Sequence, residues 1–321
     1  MKIKFTVFAL LLLLFIISIP ISAQYLEVAL VSDIGGFGDN SYNDQIRKSL
    51  LEIKSELNLE VEVKESKLMT EYAANINQFA ERNFDLIWGI GFTMEQAIKE
   101  SAQMYPELNF VIFDGTVEEE NVMSINFIKE EAAFLAGVIA ALETENDVVA
   151  FIGGKENSEM QHYQAGFMTG VKAVNTEVDV LNRYIGSFND FSTAQAVAEE
   201  VYNNRADIIF YSAGASSRGI IYEAIDKNIK LISLDPTDTE LAPENILTTI
   251  LKNTDYLVRN TVENFYNDNY VNEIKEYGIA DNAFILDKNQ AEDMMSEEVI
   301  NKVEEYKQQV ISSEIDVPAG S

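Results

Sequence analysis

Two α/β lobes, each a doubly wound parallel sheet with helices on both faces, are what this sequence predicts. Three observations carry the prediction. Short apolar runs alternate with helical patterns from Leu26 almost to the end of the chain. The runs are apolar or β-rich, and their alternation with helices argues for parallel sheets covered on both faces. There are also more βα units than one sheet of ordinary width holds, in a chain whose 321 residues suit two domains.

Taken in order, the strand candidates are Leu26 to Val31, Val61 to Val63, Leu86 to Ile90, Phe110 to Phe113 and Val122 to Ile125, then Val148 to Ile152, Val180 to Ile185, Ile208 to Ser212, Lys230 to Leu234 and Ile246 to Ile250. Helices between them show three-and-four spacing, as in Tyr42, Ile46, Leu50, Ile53 and Leu57. Ser41 and Asp44 have capping-box spacing at the start of that helix. The polar segment Thr144 to Asp147 marks the change of lobe, and a helix from Tyr256 to Tyr266 returns to the first lobe. The expected division is 1–23 as a signal, 24–145 with about 252–270 as lobe one, 146–251 with about 271–290 as lobe two, and 291–321 as a charged C-terminal helix and tail.

Lys2 and Lys4, the apolar stretch Phe5 to Ile19, and Ile21-Ser22-Ala23 have the layout of a secretory signal cleaved after Ala23. The expected location is periplasmic or extracellular. With no cysteine there is neither a disulfide nor an acylation site, so any hold at the membrane must come from a partner. The formal charge is −30, and loss of Lys2 and Lys4 leaves 21 basic against 53 acidic residues. Nucleic acid and anionic membrane are therefore excluded as partners, whereas a neutral small molecule is indifferent to this field. The chain is expected to act as a monomer.

Ligands of open parallel sheets sit beyond the carboxyl ends of strands, and the unusual residues of this chain collect there. Asp33-Ile-Gly-Gly-Phe37-Gly-Asp39-Asn-Ser-Tyr-Asn43 follows the first strand, offering an aromatic face beside Asp33, Asp39 and Asn43. Tyr163 is placed to supply an opposing face, or is an ordinary half-buried helix tyrosine. Asp114 and Asp235 each end an apolar strand, where a carboxylate can accept from both hydroxyls of a diol or cap the next turn. Lys252 ends another strand and can pair with such an acid. Trp88, inside a strand, reads as core, and His162, the single histidine, as a surface or cleft-rim residue.

Enzyme signatures are missing. The sequence has no G-x-G-x-x-G after a strand, no G-x-x-x-x-G-K-[ST], no G-x-S-x-G and no H-E-x-x-H. No metal, cofactor or catalytic residue is expected.

Three stretches resemble the basic membrane protein family of substrate-binding proteins, which includes purine nucleoside receptors of ABC transporters: Asp33 to Asn43, Asp85-Leu-Ile-Trp-Gly-Ile-Gly-Phe92, and Phe127 to Gly137. Phe151-Ile-Gly-Gly154, Tyr184 to Phe188, Ala213-Gly214 and Leu241 to Asn245 ahead of Lys252 fit in the same order. The resemblance implies a type I periplasmic-binding-protein fold with a hinge and a nucleoside between the lobes. It implies that Phe37 and Tyr163 sandwich the base, Asn43 and Asp33 meet its edge, and Asp114, Asp235 and Lys252 hold the ribose, with Gly214 in the binding loop. An ABC permease at the membrane is the implied partner. Two departures stand out: no cysteine follows the signal, and the Gly214 loop continues Ala-Ser-Ser-Arg218 where relatives are richer in glycine. A receptor for a sugar or other small solute, a ligand sensor for a membrane partner, and a nucleoside-cleaving enzyme are the alternatives.

Overall fold

The computed structural model describes residues 25–38 and 42–320; the expected signal, Asp39 and the Ser41 cap lie outside the described residues. Each of the ten strand candidates forms a strand, and each lobe is built on one sheet. The first sheet joins β1 (Leu26–Val31), β2 (Leu59–Lys64), β3 (Leu86–Ile90), β4 (Asn109–Phe113) and β5 (Val122–Phe127). The second joins β6 (Val148–Gly153), β7 (Asp179–Tyr184), β8 (Ile208–Ser212), β9 (Lys230–Ser233) and β10 (Ile246–Lys252). The orders β5-β4-β3-β1-β2 and β10-β9-β8-β6-β7 are equivalent, and every pairing in these two sets is parallel. Reversal of direction at β1 and at β6 opens a crevice at the strand ends of each sheet.

Helices cover both faces. In α1 (Tyr42–Glu56), Ile46, Leu50 and Ile53 are fully buried, as their spacing requires. The first lobe adds α2 (Tyr72–Ala80) and α3 (Glu95–Met104). Then come α4 (Lys129–Glu143), α5 (Ser158–Val174), α6 (Phe191–Asn203), α7 (Ser217–Lys227), the single turn α8 (Thr237–Leu241) and α9 (Thr254–Tyr266). Trp88 is core, fully buried and stacked 5.5 Å from Phe113.

The chain crosses between lobes three times, and the sequence reading misplaces two of these crossings. The first falls between β5 and α4, before the Thr144 to Asp147 segment, because α4 packs on α5 and on the second sheet. Residues Ala132 to Ala140 of α4 are all buried, and a helix apolar all round has to be enclosed. Gly137, Gly166 and Gly170 let α4 and α5 touch backbone to backbone: a Cβ on each would collide with the carbonyl oxygen of Phe167, Glu130 and Phe134, respectively.

The second crossing, after Lys252, carries α9 back onto α1, where Arg259 meets Glu56 at 2.6 Å. The third splits the 271–290 segment that sequence reading placed in lobe two. β11 (Ile274–Tyr277) runs parallel to β5 in the first sheet, whereas β12 (Phe284–Leu286) lies antiparallel to β10 in the second. The C-terminal helix is also two helices, α10 (Lys288–Met294) and α11 (Glu297–Ile311), because Ser296 between them accepts from the Val299 amide as an N-cap.

Candidate functional site

The strand ends of the two sheets face each other across a cleft that contains two adjoining hollows. The first, about 680 Å³, is lined by Asp33, Asn43, Gly91, Asp114 and Thr116 at strand ends of lobe one, and by Lys129, Glu130, Ser158, Glu159 and His162 at the N-termini of α4 and α5. The second, about 280 Å³, is lined by Tyr163, Gly214, Asp235, Pro236 and Asp238 with the ends of β8, β9 and β10. Tyr42 and Lys252 border both hollows.

Asp114 and Lys252 meet at this partition. The Lys252 ammonium lies 2.5 Å from Asp114 Oδ2 and sits 4.6 Å from the ring centroids of both Tyr42 and Phe127. The backbone of Asp114 has φ +53°, a left-handed turn that an aspartate tolerates better than most residues. Burial pushes the Asp114 carboxyl up, but Lys252, Lys129 and the Tyr42 hydroxyl together outweigh it and hold the group below the usual carboxylate range. Asp114 Oδ1 and the Tyr42 hydroxyl are buried without a well-formed hydrogen bond. Burial first, and the Asp114 charge second, push the Tyr42 hydroxyl well above its ordinary value.

The glycine loop is held by its own polar groups. Asp33 Oδ1 accepts from the Gly35 amide at 2.9 Å and from Asn43 Nδ2 at 2.8 Å, and Asn43 Nδ2 also donates to the Gly36 carbonyl. Gly36 has φ +65°, which places that carbonyl within reach. Asp33 and Asn43 therefore enter the first hollow as a linked pair. Phe37 does not line either hollow. Its ring packs against the core, and the Arg47 guanidinium, tied to Asp44 at 2.7 Å, covers it 5.0 Å from the centroid. The physical reason is α1, whose side chains lean toward its N-terminus and bring Arg47 over the loop.

Across the cleft, Asp235 Oδ1 accepts from the amide and hydroxyl of Thr237 at 2.9 and 2.8 Å, so it caps the turn that follows while standing on the wall of the second hollow. Gly214 at φ +57° opens the loop after β8. Buried Tyr163 lies edge-on to Phe210, 6.1 Å between centroids, and borders the same hollow. His162 lines the first hollow with Nδ1 3.1 Å from Glu130 Oε2, a cleft-rim position.

Tyr42, Tyr211 and Ser233 are lining residues that sequence reading did not single out, and Asp238, in the strand-end stretch Asp235-Pro236-Thr237-Asp238, was given no role of its own. Ser233 Oγ and the Tyr211 hydroxyl both donate to Asp238 Oδ2, at 2.6 and 2.7 Å. Burial raises the Asp238 carboxyl, with Asp235 adding to the rise and these donors and Arg218 opposing it. The available signal was Asp238 itself, three residues beyond a strand-end aspartate; the tyrosines are hidden inside apolar stripes.

The arrangement can surround a small, uncharged polar molecule with aromatic edges and hydrogen-bonding groups. Among the described residues, no helix is long and apolar enough to cross a membrane.

Residues 26–321 match the family described as ABC transporter substrate-binding proteins, PnrA-like. The CD4+ T-cell-stimulating antigen of Listeria monocytogenes is 30% identical over 322 residues, covering 92% of this chain and 89% of that protein. The ABC transporter nucleoside-binding protein BmpA of Lactococcus lactis is 31% identical over 204 residues, 62% of this chain and 58% of that one. A solved ABC transporter solute-binding protein from Aeropyrum pernix superposes with a TM-score of 0.73 at 21% identity, over 91% of this chain and 94% of its own, a likeness of fold alone. The chain thus belongs to the PnrA-like family of ABC transporter substrate-binding proteins, non-enzymatic receptors that act outside the cytoplasm and hand a small molecule to a membrane permease.

Proposed function

We propose that the cleft captures a nucleoside, with purine nucleosides as the first choice, and delivers it to the permease as a single chain. The observation that carries this reading is the shared partition. Tyr42 and Lys252 border both hollows, so one ligand spanning them meets tyrosine rings, the Asp33–Asn43 pair and the acids Asp114 and Asp235 together. A base provides the flat face and a ribose the neighbouring hydroxyls that such a lining accepts. The nucleoside-binding relative from Lactococcus lactis supports the same choice. Phe37 enters this reading only if its ring leaves Arg47.

Delivery follows from the three crossings, which act as the hinge. A ligand that contacts both lobes binds the closed form better than the open one and shifts the population toward it. Calorimetry against adenosine, guanosine, the free bases, ribose and other sugars tests the proposal. Nucleosides are expected to bind more tightly than either half. Tight binding of a sugar alone favours the sugar-receptor reading, and no binding of any nucleoside overturns the proposal.

A further inference from the structure

We infer that the tail segment Pro318-Ala319-Gly320 is a wall of the first hollow and limits the size of what enters it. The inference takes from the proposed function only that this cleft holds the ligand. The tail is seated by several contacts. The Tyr306 hydroxyl of α11 donates to the Ala173 carbonyl near the C-terminal end of α5. The chain then reverses, with the Glu314 and Ile315 amides both donating to the Gln309 carbonyl. Ile315 and Val317 pack against the core.

Gly320 reaches the opposite end of α5. A Cβ there would collide with the Gln161 carbonyl oxygen and lie 2.7 Å from the His162 amide nitrogen, so the tail backbone rests directly on the first turns of that helix. From Ala173, which Tyr306 touches, back to Gln161, on which Gly320 rests, the axis of α5 covers roughly 18 Å at about 1.5 Å per residue. The chain between Tyr306 and Gly320 therefore passes from the C-terminal end of α5 to its N-terminal end.

At Ala319 this segment meets the cleft. Ala319 lines the first hollow together with Ser158, Glu159, His162 and Glu130. At this same place Lys129 pairs with Glu159 at 3.5 Å and His162 with Glu130 at 3.1 Å, holding the starts of α4 and α5 together beside the first crossing. A wall seated there moves with the second lobe and narrows the approach to Asp114 from outside.

The chain has no cysteine, so a single Asn126→Cys substitution, at a half-buried lining position, reports access to the hollow without interference. Its labelling is compared between a small methanethiosulfonate and bulky fluorescein maleimide, without ligand, in the full chain, in a chain ending after Val317, and in full-length Gly320→Val, which forces the tail off α5. The bulky-to-small rate ratio is expected to rise several-fold in both altered chains, with thermal unfolding unchanged. An equal ratio in all three chains overturns the inference, and a rise in both rates by the same factor does so too, because that reports loosening rather than size exclusion. Adenosine calorimetry on the unaltered chain judges the nucleoside reading separately, since the labelling ratio needs no ligand.

Discussion

Lys252 Nζ lies 2.5 Å from Asp114 Oδ2, although Asp114 follows a strand of the first sheet and Lys252 ends a strand of the second. Both side chains are mostly covered, so removing one charge strands the other. Lys252→Met is expected to cost about 3 kcal/mol in urea unfolding near neutral pH, the range for breaking a buried pair, and adding Asp114→Asn should recover part of it. Simple additivity of the two losses would show that the residues do not interact. The pH dependence has a defined sign. The folded Asp114 pKa lies below its unfolded value of about 3.9, so its contribution is present above that pH and is lost as pH falls through the folded pKa. Without Lys252 the burial effect dominates and the folded pKa should rise instead, which carboxyl ¹³C titration of Asp114 reads directly.

Gly170 faces the Phe134 carbonyl so closely that no side chain fits. Gly170→Ala must push α4 and α5 apart, and overpacking of this kind costs about 1–3 kcal/mol. Unfolding midpoints of Gly166→Ala and Gly170→Ala measure it. A neutral result for both would mean that the two helices are not in backbone contact.

Both sheets were legible because most of their strands are apolar runs at βα spacing, and the edge strands β2 and β7 keep apolar or β-rich residues between their charges. β11 was not, since Ile274–Tyr277 is a short edge strand carrying Lys275 and Glu276, and nothing local distinguishes it from a loop. The first crossing was misplaced because α4 is apolar on every side, and its pattern alone names no partner. The site divides in the same way. Asp33, Asn43, Asp114, Gly214, Asp235 and Lys252 sit at strand ends or the helix start that follows, and the fold brings them to one cleft. Tyr42 and Tyr211 lie within a helix stripe and a strand, where an aromatic reads as core. Phe37 was expected to face the ligand because glycines surround it, but the sequence does not reveal that Arg47, ten residues further on and in the second turn of α1, covers its ring.

That cover makes Phe37 a sharp test. A base stacked on an aromatic ring is worth about 1–3 kcal/mol. With Arg47 on its face, Phe37→Ala should weaken adenosine binding by less than that range. A loss within the range, measured by calorimetry, would mean that the ring exchanges Arg47 for the ligand, and Arg47→Ala should then tighten binding.

Asp235 combines a cap with its proposed contact to a diol, so its substitution is best read as a ratio. Loss of a hydrogen bond to a charged acceptor costs about 1.5–3 kcal/mol. Asp235→Ala is expected to weaken ribonucleosides by that amount more than their 2′,3′-dideoxy analogues, while the lost Thr237 bonds affect both equally. Equal losses would leave Asp235 as a cap alone.

With 53 acidic and 23 basic residues, the folded chain holds a formal charge of −30, and compaction works against that repulsion. Opposing it are ion pairs such as Arg82–Glu62 and Lys302–Glu305, whose side chains are about half exposed and which contribute little individually. Salt screens both, and the larger sum decides the sign. As the screening length falls from about 10 Å at 0.1 M to about 3 Å at 1 M, repulsion between surface acids fades first because it acts over the longer distances. The urea midpoint should therefore rise with sodium chloride over this range. Both lobes carry excess acid, so the closed form should gain as well, and affinity for an uncharged nucleoside should increase in the same direction. A midpoint that falls with salt would mean that the ion pairs outweigh the net charge.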